Sequence, residues 1–376
     1  MHPTSDVLIV GGGPAGLAAA IALQQQRITC TVVEAGSPGM EKACGEGLMP
    51  DTLLSLAQLG VRIGPEEGHP FCGIRFVNQR HRTEALFPAG SGLGVRRPRL
   101  HALLADRAKA AGASILWNSR VKLLDRQSAQ VNGEQVRFRW LVGADGHSSS
   151  VRRWAGLDDR RKESVRFGFR RHYLIRPWSE FVEVHWGVHA QLYVTPVSAD
   201  CVCVILATSD RQYGAKEMLK GFPEMAERLK GVAIATPQRG AVTATLKLRR
   251  VADETVALLG DASGSADSCT GDGLGVTFRQ ALALGTALRA GSLQGYEGAH
   301  RKIGQLPHLM GAAMLTMDRW PHVERSAISA LSSSPGVFSD LLAVHLGVQS
   351  LPGFAMKQGP ALIWNLLRHG ISQAMA

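Results

Sequence analysis

The 376-residue chain has no CxxC pair, no apolar stretch as long as a membrane span, no internal repeat and no low-complexity tract. Its six cysteines, Cys30, Cys44, Cys72, Cys201, Cys203 and Cys269, lack metal-ligand spacing, so no metal is expected. Cys201 and Cys203 alternate with valines and read as one face of a strand. Scattered thiols fit a reduced, cytoplasmic setting, and the amino terminus lacks the charged leader and long apolar core of a signal peptide. Acidic residues are outnumbered, 31 against 42 Lys and Arg, for a formal net charge of +11. Such a field attracts anions: a phosphate-bearing cofactor, an acidic protein partner or an anionic membrane surface. No Lys/Arg-rich helix or aromatic and basic motif points to nucleic acid. The basic residues gather at Arg152, Arg153, Arg160, Arg161, Lys162, Arg166, Arg170, Arg171 and Arg176, and read as a solvated surface with counter-charges for a cofactor phosphate.

What is present is 45% hydrophobic residues and 42 glycines, a balance that suits an α/β protein. The chain begins DVLIVGGGPAGLAAAIALQQQRITCTVVEA. Val7 to Val10 read as a buried parallel strand, Gly11, Gly13 and Gly16 fit GxGxxG, a helix follows, and a second apolar strand ends at Glu34. In this constellation Gly11 permits a tight turn, Gly13 lets a diphosphate approach the backbone and Gly16 packs the helix closely on the strand. Free N–H groups at the helix start face the diphosphate. Glu34 can accept hydrogen bonds from both ribose hydroxyls and would repel a 2′-phosphate, so the dinucleotide is FAD or NAD rather than NADP.

Three further stretches narrow the choice: GVRRPRLHALLADRA at 94–108, LVGADGHSSSVRR at 141–153, and VALLGDASGSADSCTGDGLGVTF at 256–278. Together with the amino-terminal motif they resemble the FAD-dependent oxidoreductases built like para-hydroxybenzoate hydroxylase, which also include geranylgeranyl reductases and flavin halogenases. The resemblance covers roughly residues 5–300. It implies that Asp261 holds the ribityl chain of FAD, that Arg97 lies near the phosphate and ribityl region with Arg96 and Arg99 as rivals, and that Asp145 and Gly146 form a DG motif near the pyrophosphate. The second glycine cluster, with Gly271 and Gly273, starts a helix whose N–H groups point at the pyrimidine edge of the flavin.

The expected fold class is α/β (α+β overall): a Rossmann-like FAD-binding domain, an inserted mostly antiparallel substrate sheet and a carboxy-terminal helical segment. The boundaries are 1–70, 95–160 and 250–300 for the FAD domain, 71–94 and 161–249 for the sheet, and 301–376 for the helices. The tail around FAMKQGPALIWNLLRH predicts a core or lid helix, with contact at a membrane surface as its alternative. No second GxGxxG occurs, so NADH or NADPH would dock transiently or electrons would come from a partner.

CGEGL at 44–48 resembles a geranylgeranyl reductase segment that borders the flavin and substrate, which makes Cys44 and Glu46 pocket candidates. Cys44 as a core residue and Glu46 as a solvated or capping acid are the alternatives. Tyr193 in QLYVTP sits where relatives carry substrate motifs, and the two tryptophans of halogenases are missing. In VEVHWG, His185 is an acid/base candidate by type, against a hydrogen-bonded sheet histidine. Two activities are implied. A monooxygenase would hydroxylate or epoxidise an apolar, aromatic or polyketide-like substrate with oxygen, through a flavin C4a-hydroperoxide. A reductase would saturate an isoprenoid or enone double bond. A flavoprotein that oxidises a side chain of a partner protein is a third reading.

Overall fold

The computed structural model describes residues 5–39, 41–210 and 218–374, with the main chain alone at 160–163, 363 and 366–374. Arg160, Arg161 and Lys162 of the basic run therefore lie outside the described side chains.

A parallel sheet carries the strands in the order Val256–Leu258, Trp140–Gly143, Val7–Val10, Cys30–Val33, Ser114–Leu116. The first strand of the chain is thus central, with Val7 in register with both Trp140 and Cys30. All four of its residues are buried, as a strand covered on both faces requires, and this explains its apolar run without alternation. The helix Pro14–Gln25 places proline at its first position, where the missing N–H costs nothing. Its alanines, Ala18, Ala19, Ala20 and Ala22, are buried, which keeps the helix slim enough for the helix Gly273–Arg289 to approach closely. A β-carbon on Gly285 would lie 3.0 Å from the Ala22 carbonyl oxygen.

A seven-stranded sheet runs Ile234–Leu248, Arg160–Tyr173, Cys201–Thr208, Ala190–Ser198, Phe181–Gly187, Gly73–Val77, Arg82–Leu86. Its neighbours are antiparallel except Phe181–Gly187 beside Gly73–Val77, which is parallel. One face is covered by the carboxy-terminal helices: Leu331, Val337, Phe338, Leu342 and Phe354 pack with Phe71, Phe87 and Val182. The expected mixture of a Rossmann-like sheet, a mostly antiparallel sheet and terminal helices is the observed one. Among the described residues no single helix is long and apolar enough to cross a membrane. The helices Pro321–Ser333 and Pro335–His345 reach that length and composition only together, with a bend of 107° between them.

The basic run needs correction. Arg152, Arg166 and Arg170 are fully buried rather than solvated. Strand alternation alone cannot distinguish an arginine that faces water from one that reaches a carboxylate brought in by a distant segment; for Arg166 and Arg170 these carboxylates are Asp267, Asp318 and Glu41. Arg152, in a short helix, is instead held by the nearby Asp158 at 2.7 Å.

Candidate active site

One open cavity of about 1660 Å³ joins the glycine motifs of the parallel sheet to the covered face of the large sheet. Gly11, Gly13, Glu34, Arg97, Asp145, Asp261, Gly271 and Gly273, eight of the nine residues assigned to the cofactor, line it, and so do Cys44, Glu46 and Tyr193. The ninth, Gly16, works behind it. A β-carbon there would sit 1.8 Å from the Gly11 carbonyl oxygen, so only glycine lets the helix start lie on the strand end. Gly11 itself has φ +111° and would collide with the Ala144 carbonyl oxygen at 2.4 Å.

At one end Glu34 fixes the loop as well as facing the cavity: its two oxygens accept from Gly12 N–H at 2.6 Å and Gly36 N–H at 2.7 Å. His101 closes the same loop from the other side, with a ring nitrogen 2.9 Å from the Gly12 carbonyl. Burial lowers its pKa, which favours the neutral imidazole. Sequence reasoning missed His101, although its place four residues after Arg97 on the helix Arg97–Ala110 put both on one face.

Of the three rival arginines, Arg97 lines the cavity, whereas Arg99 pairs with Glu67 at the surface and Arg96 turns to Glu41 and Glu46. Asp145 accepts from Ser150 N–H at 2.7 Å and Val151 N–H at 3.1 Å, so it caps the short helix Ser150–Trp154 while its loop borders the cavity. Asp261 forms an ion pair with Lys42 at 2.9 Å. Burial would raise its carboxyl, but Lys42 and then Arg97 outweigh this and hold it below the usual range, so it is ionised and able to accept hydroxyl hydrogen bonds. Asp261→Ala is expected to lower the ratio of bound flavin to purified protein severalfold. Full occupancy after dialysis would remove Asp261 from the cofactor site.

The glycine-rich turn before the helix Gly273–Arg289 leaves open space at Gly271 and Gly273, where an added β-carbon meets no atom within 4 Å. A flat ring can approach that surface closely, and the helix start presents free N–H groups to it. Asp272 is buried behind the turn and bonded to Arg279 at 2.7 Å, and Arg279 also grips Asp51. Burial pushes the Asp272 carboxyl up to about 7 against the pull of Arg279.

Glu46 is neither solvated nor free. It is buried at φ +59°, an uncommon conformation for a residue with a β-carbon. Oε1 accepts from Arg97 N–H at 2.9 Å and Oε2 from His172 Nε2 at 2.6 Å, while Arg170 donates to His172 Nδ1 at 2.7 Å. The strap ties the CGEGL loop to the large sheet and caps the helix that carries Arg97. Potential metal-ligating atoms of Glu46, His172 and Cys203 lie within 4.8 Å of one another. The buried Arg170 guanidinium already supplies a cation there, and burial raises the Cys203 thiol so that it stays protonated. Cys44 lines the cavity with Arg97 Nη1 3.8 Å from its sulfur.

Tyr193 faces the cavity, and its hydroxyl donates within 2.6 Å of Gln191 Oε1 and 3.2 Å of the Cys269 carbonyl. Burial raises it well above its ordinary range, so it remains a neutral phenol. His185 is a correction. Val182 and Val184 line the cavity, so Glu183 and His185, one position out of step, share the opposite face of the sheet. There Glu183 joins His185 at 3.0 Å, Arg75 at 2.9 Å and Trp178 at 3.1 Å. The two polar residues do share a face, but it is turned away from the cavity.

These glycines, the acid at the second strand end and the capped arginine fit a flavin dinucleotide. The family described as FAD binding domain matches residues 4–298. The chain belongs to that family of FAD-binding proteins. It is 26% identical to a ubiquinone hydroxylase of Rhodospirillum rubrum over 325 residues, 78% of this chain and 74% of that protein. It is 28% identical to a menaquinone reductase of Mycobacterium tuberculosis over 164 residues. That second match spans less than half of either protein, 41% of this chain and 40% of the relative. In fold it is similar to a flavoprotein/dehydrogenase from Cytophaga hutchinsonii, with TM-score 0.82, 18% identity, and 99% and 100% of the two chains covered.

Proposed function

We propose that this protein is a monooxygenase that hydroxylates or epoxidises an apolar, aromatic or polyketide-like substrate. The observation that carries this reading is the far end of the cavity. Phe71, Ile74, Phe76, Val182, Val184 and Phe338 form an apolar wall that the carboxy-terminal helices cover, beside the glycine-rich turn. A wall of this kind selects an apolar ligand and keeps water from the reacting centre. Bound FAD would supply two-electron reduction and oxygen activation. The chain's own residues Gly13, Glu34, Arg97 and Asp261 would hold the cofactor, and the start of the helix Gly273–Arg289 would offer its free N–H groups to the ring. NADH or NADPH supplies the electrons, so that substrate, O₂, NAD(P)H and one proton give the oxygenated product, NAD(P)⁺ and water.

A second reading, reduction of an isoprenoid or enone double bond, is favoured by the CGEGL loop, which puts Cys44 and Glu46 in the same cavity wall. The two are separated by mixing anaerobically reduced holoenzyme with isotopically labelled oxygen in the presence of phenolic or polyprenyl compounds. The monooxygenase is expected to be reoxidised by oxygen, to place label in the product, and to release less peroxide as product forms. Reduced enzyme that ignores oxygen but is reoxidised by an alkene overturns the reading in favour of the reductase.

A further inference from the structure

Arg170 and Arg239 lie directly opposite one another on the antiparallel strands Arg160–Tyr173 and Ile234–Leu248. Like charges in that position repel, so an anionic group is needed between them. Glu41 supplies it: its carboxylate is 3.4 Å from Arg170 Nη2, 3.6 Å from Arg239 Nε and 3.5 Å from Arg96 Nη2. These are ion pairs rather than hydrogen bonds. Arg170 is fully buried, and its Nε and Nη2, like Arg96 Nε, have no hydrogen-bond partner among the described residues. Buried donors without acceptors are costly, and the two oxygens of one carboxylate cannot serve three guanidinium forks. The three arginines form a pit, with Arg170 as its floor and the partly exposed Arg96 and Arg239 as its rim. Gly168 and Ala241, the next opposed pair on the same face of the sheet, line the cavity. At the usual rise along a strand, the pit begins about 7 Å from the cavity edge.

We propose that Arg96, Arg170 and Arg239 form a binding site for a phosphate group, and that Glu41 is a built-in substitute which such a ligand displaces. An esterified phosphate brings three acceptor oxygens and about two negative charges, and guanidinium groups bind it through paired N–H donors. That matches the free donors of the pit better than a single carboxylate does. None of the four residues lines the cavity, so the site is separate from the helix start at Gly13 assigned to the cofactor diphosphate. Glu41 can leave without undoing the strap beside it, because Glu46 is held independently by the Arg97 N–H and His172. The phosphate arrives either free from solution or as the end of a ligand whose apolar body lies in the cavity. The site is the same whichever reaction the flavin performs.

The test titrates inorganic phosphate into oxidised, FAD-loaded holoenzyme by calorimetry at constant ionic strength, so that the cofactor's own diphosphate position is filled. Glu41→Gln removes the competing carboxylate and is expected to tighten phosphate binding about tenfold, the size of one charge-assisted hydrogen bond. Arg96→Gln and Arg239→Gln should each weaken it about tenfold. Flavin content and melting are checked for each variant, and two rim variants are measured so that a folding failure in one leaves the other to decide. Octyl phosphate separates the two sources. Binding at least about tenfold tighter than that of inorganic phosphate, and weakened by the same rim substitutions, assigns the phosphate to an apolar ligand that spans pit and cavity. Equal affinity assigns it to a free anion. A merely structural ion pair predicts that Glu41→Gln lowers the melting temperature and gains no affinity for phosphate. Absence of binding in the wild type and Glu41→Gln alike, binding that Glu41→Gln fails to tighten, or binding indifferent to both rim substitutions overturns the proposal.

Discussion

Arg166→Met is expected to destabilise the folded holoenzyme by about 3–5 kcal/mol, the usual cost of leaving a buried charge without its partner. Arg166 is 1% exposed. Its guanidinium reaches Asp267 Oδ1 at 3.1 Å, Gln191 Oε1 at 3.2 Å and the Ala207 carbonyl at 2.9 Å, with Asp318 Oδ1 at 3.6 Å. Burial alone would lower its pKa, but Asp267 and Asp318 together raise it above the ordinary arginine value, so it is charged at every accessible pH. Methionine keeps most of the volume and removes the charge, which strands two carboxylates. A fall in melting temperature of about 4–6 °C follows for a chain of this size. If the change stays within about 2 °C, the network contributes nothing that the site needs.

The consequence reaches beyond stability because Arg166 joins three parts of the site. Asp267 belongs to the loop that leads into the glycine-rich turn, Gln191 shares its amide oxygen with Tyr193, and Asp318 closes the long helix Gln294–Arg319 that covers the cavity. Removing Arg166 together with both carboxylates should recover part of the loss, since an intact apolar replacement avoids the unpaired charges. The stability of the single and the triple variants therefore separates charge pairing from simple packing.

Why sequence reading found some of these residues and not others follows from how far each signal extends. The amino-terminal motif is legible because strand, glycines, helix and acid lie within 28 residues of one another, Val7 to Glu34, and each has a local reason to be what it is. The alternation of VEVHWG placed Glu183 and His185 on one face but could not say which face, because both are covered. The arginines of the Arg160–Tyr173 strand looked solvated because their carboxylate partners lie up to 152 positions away, at Asp318. Glu46 was recognised as a neighbour of the cavity, yet its partners, His172 and the Arg97 N–H, come from two other segments, so the strap could not be read locally.

Gly13→Val and Gly16→Ala are expected to fail in opposite ways, although both alter one GxGxxG motif. At Gly13 the backbone has φ −70°, which any residue adopts, and an added β-carbon meets no protein atom within 4 Å. The apoprotein should therefore fold with a melting temperature within a few degrees of the unaltered one, while the side chain occupies the space on the cavity wall that a diphosphate at the helix start would need. FAD affinity should fall about 10- to 100-fold. At Gly16 the added β-carbon would sit 1.8 Å from the Gly11 carbonyl oxygen, backbone against backbone, and the helix can clear it only by lifting off the central strand. That costs about 3 kcal/mol or more, and the expected result is loss of the folded protein whether or not FAD is added. Melting curves of both apoproteins and an FAD titration of Gly13→Val decide the matter. A yellow, normally loaded Gly13→Val protein would place the diphosphate elsewhere, and a stable Gly16→Ala protein would mean that the helix is not held to the strand by this contact.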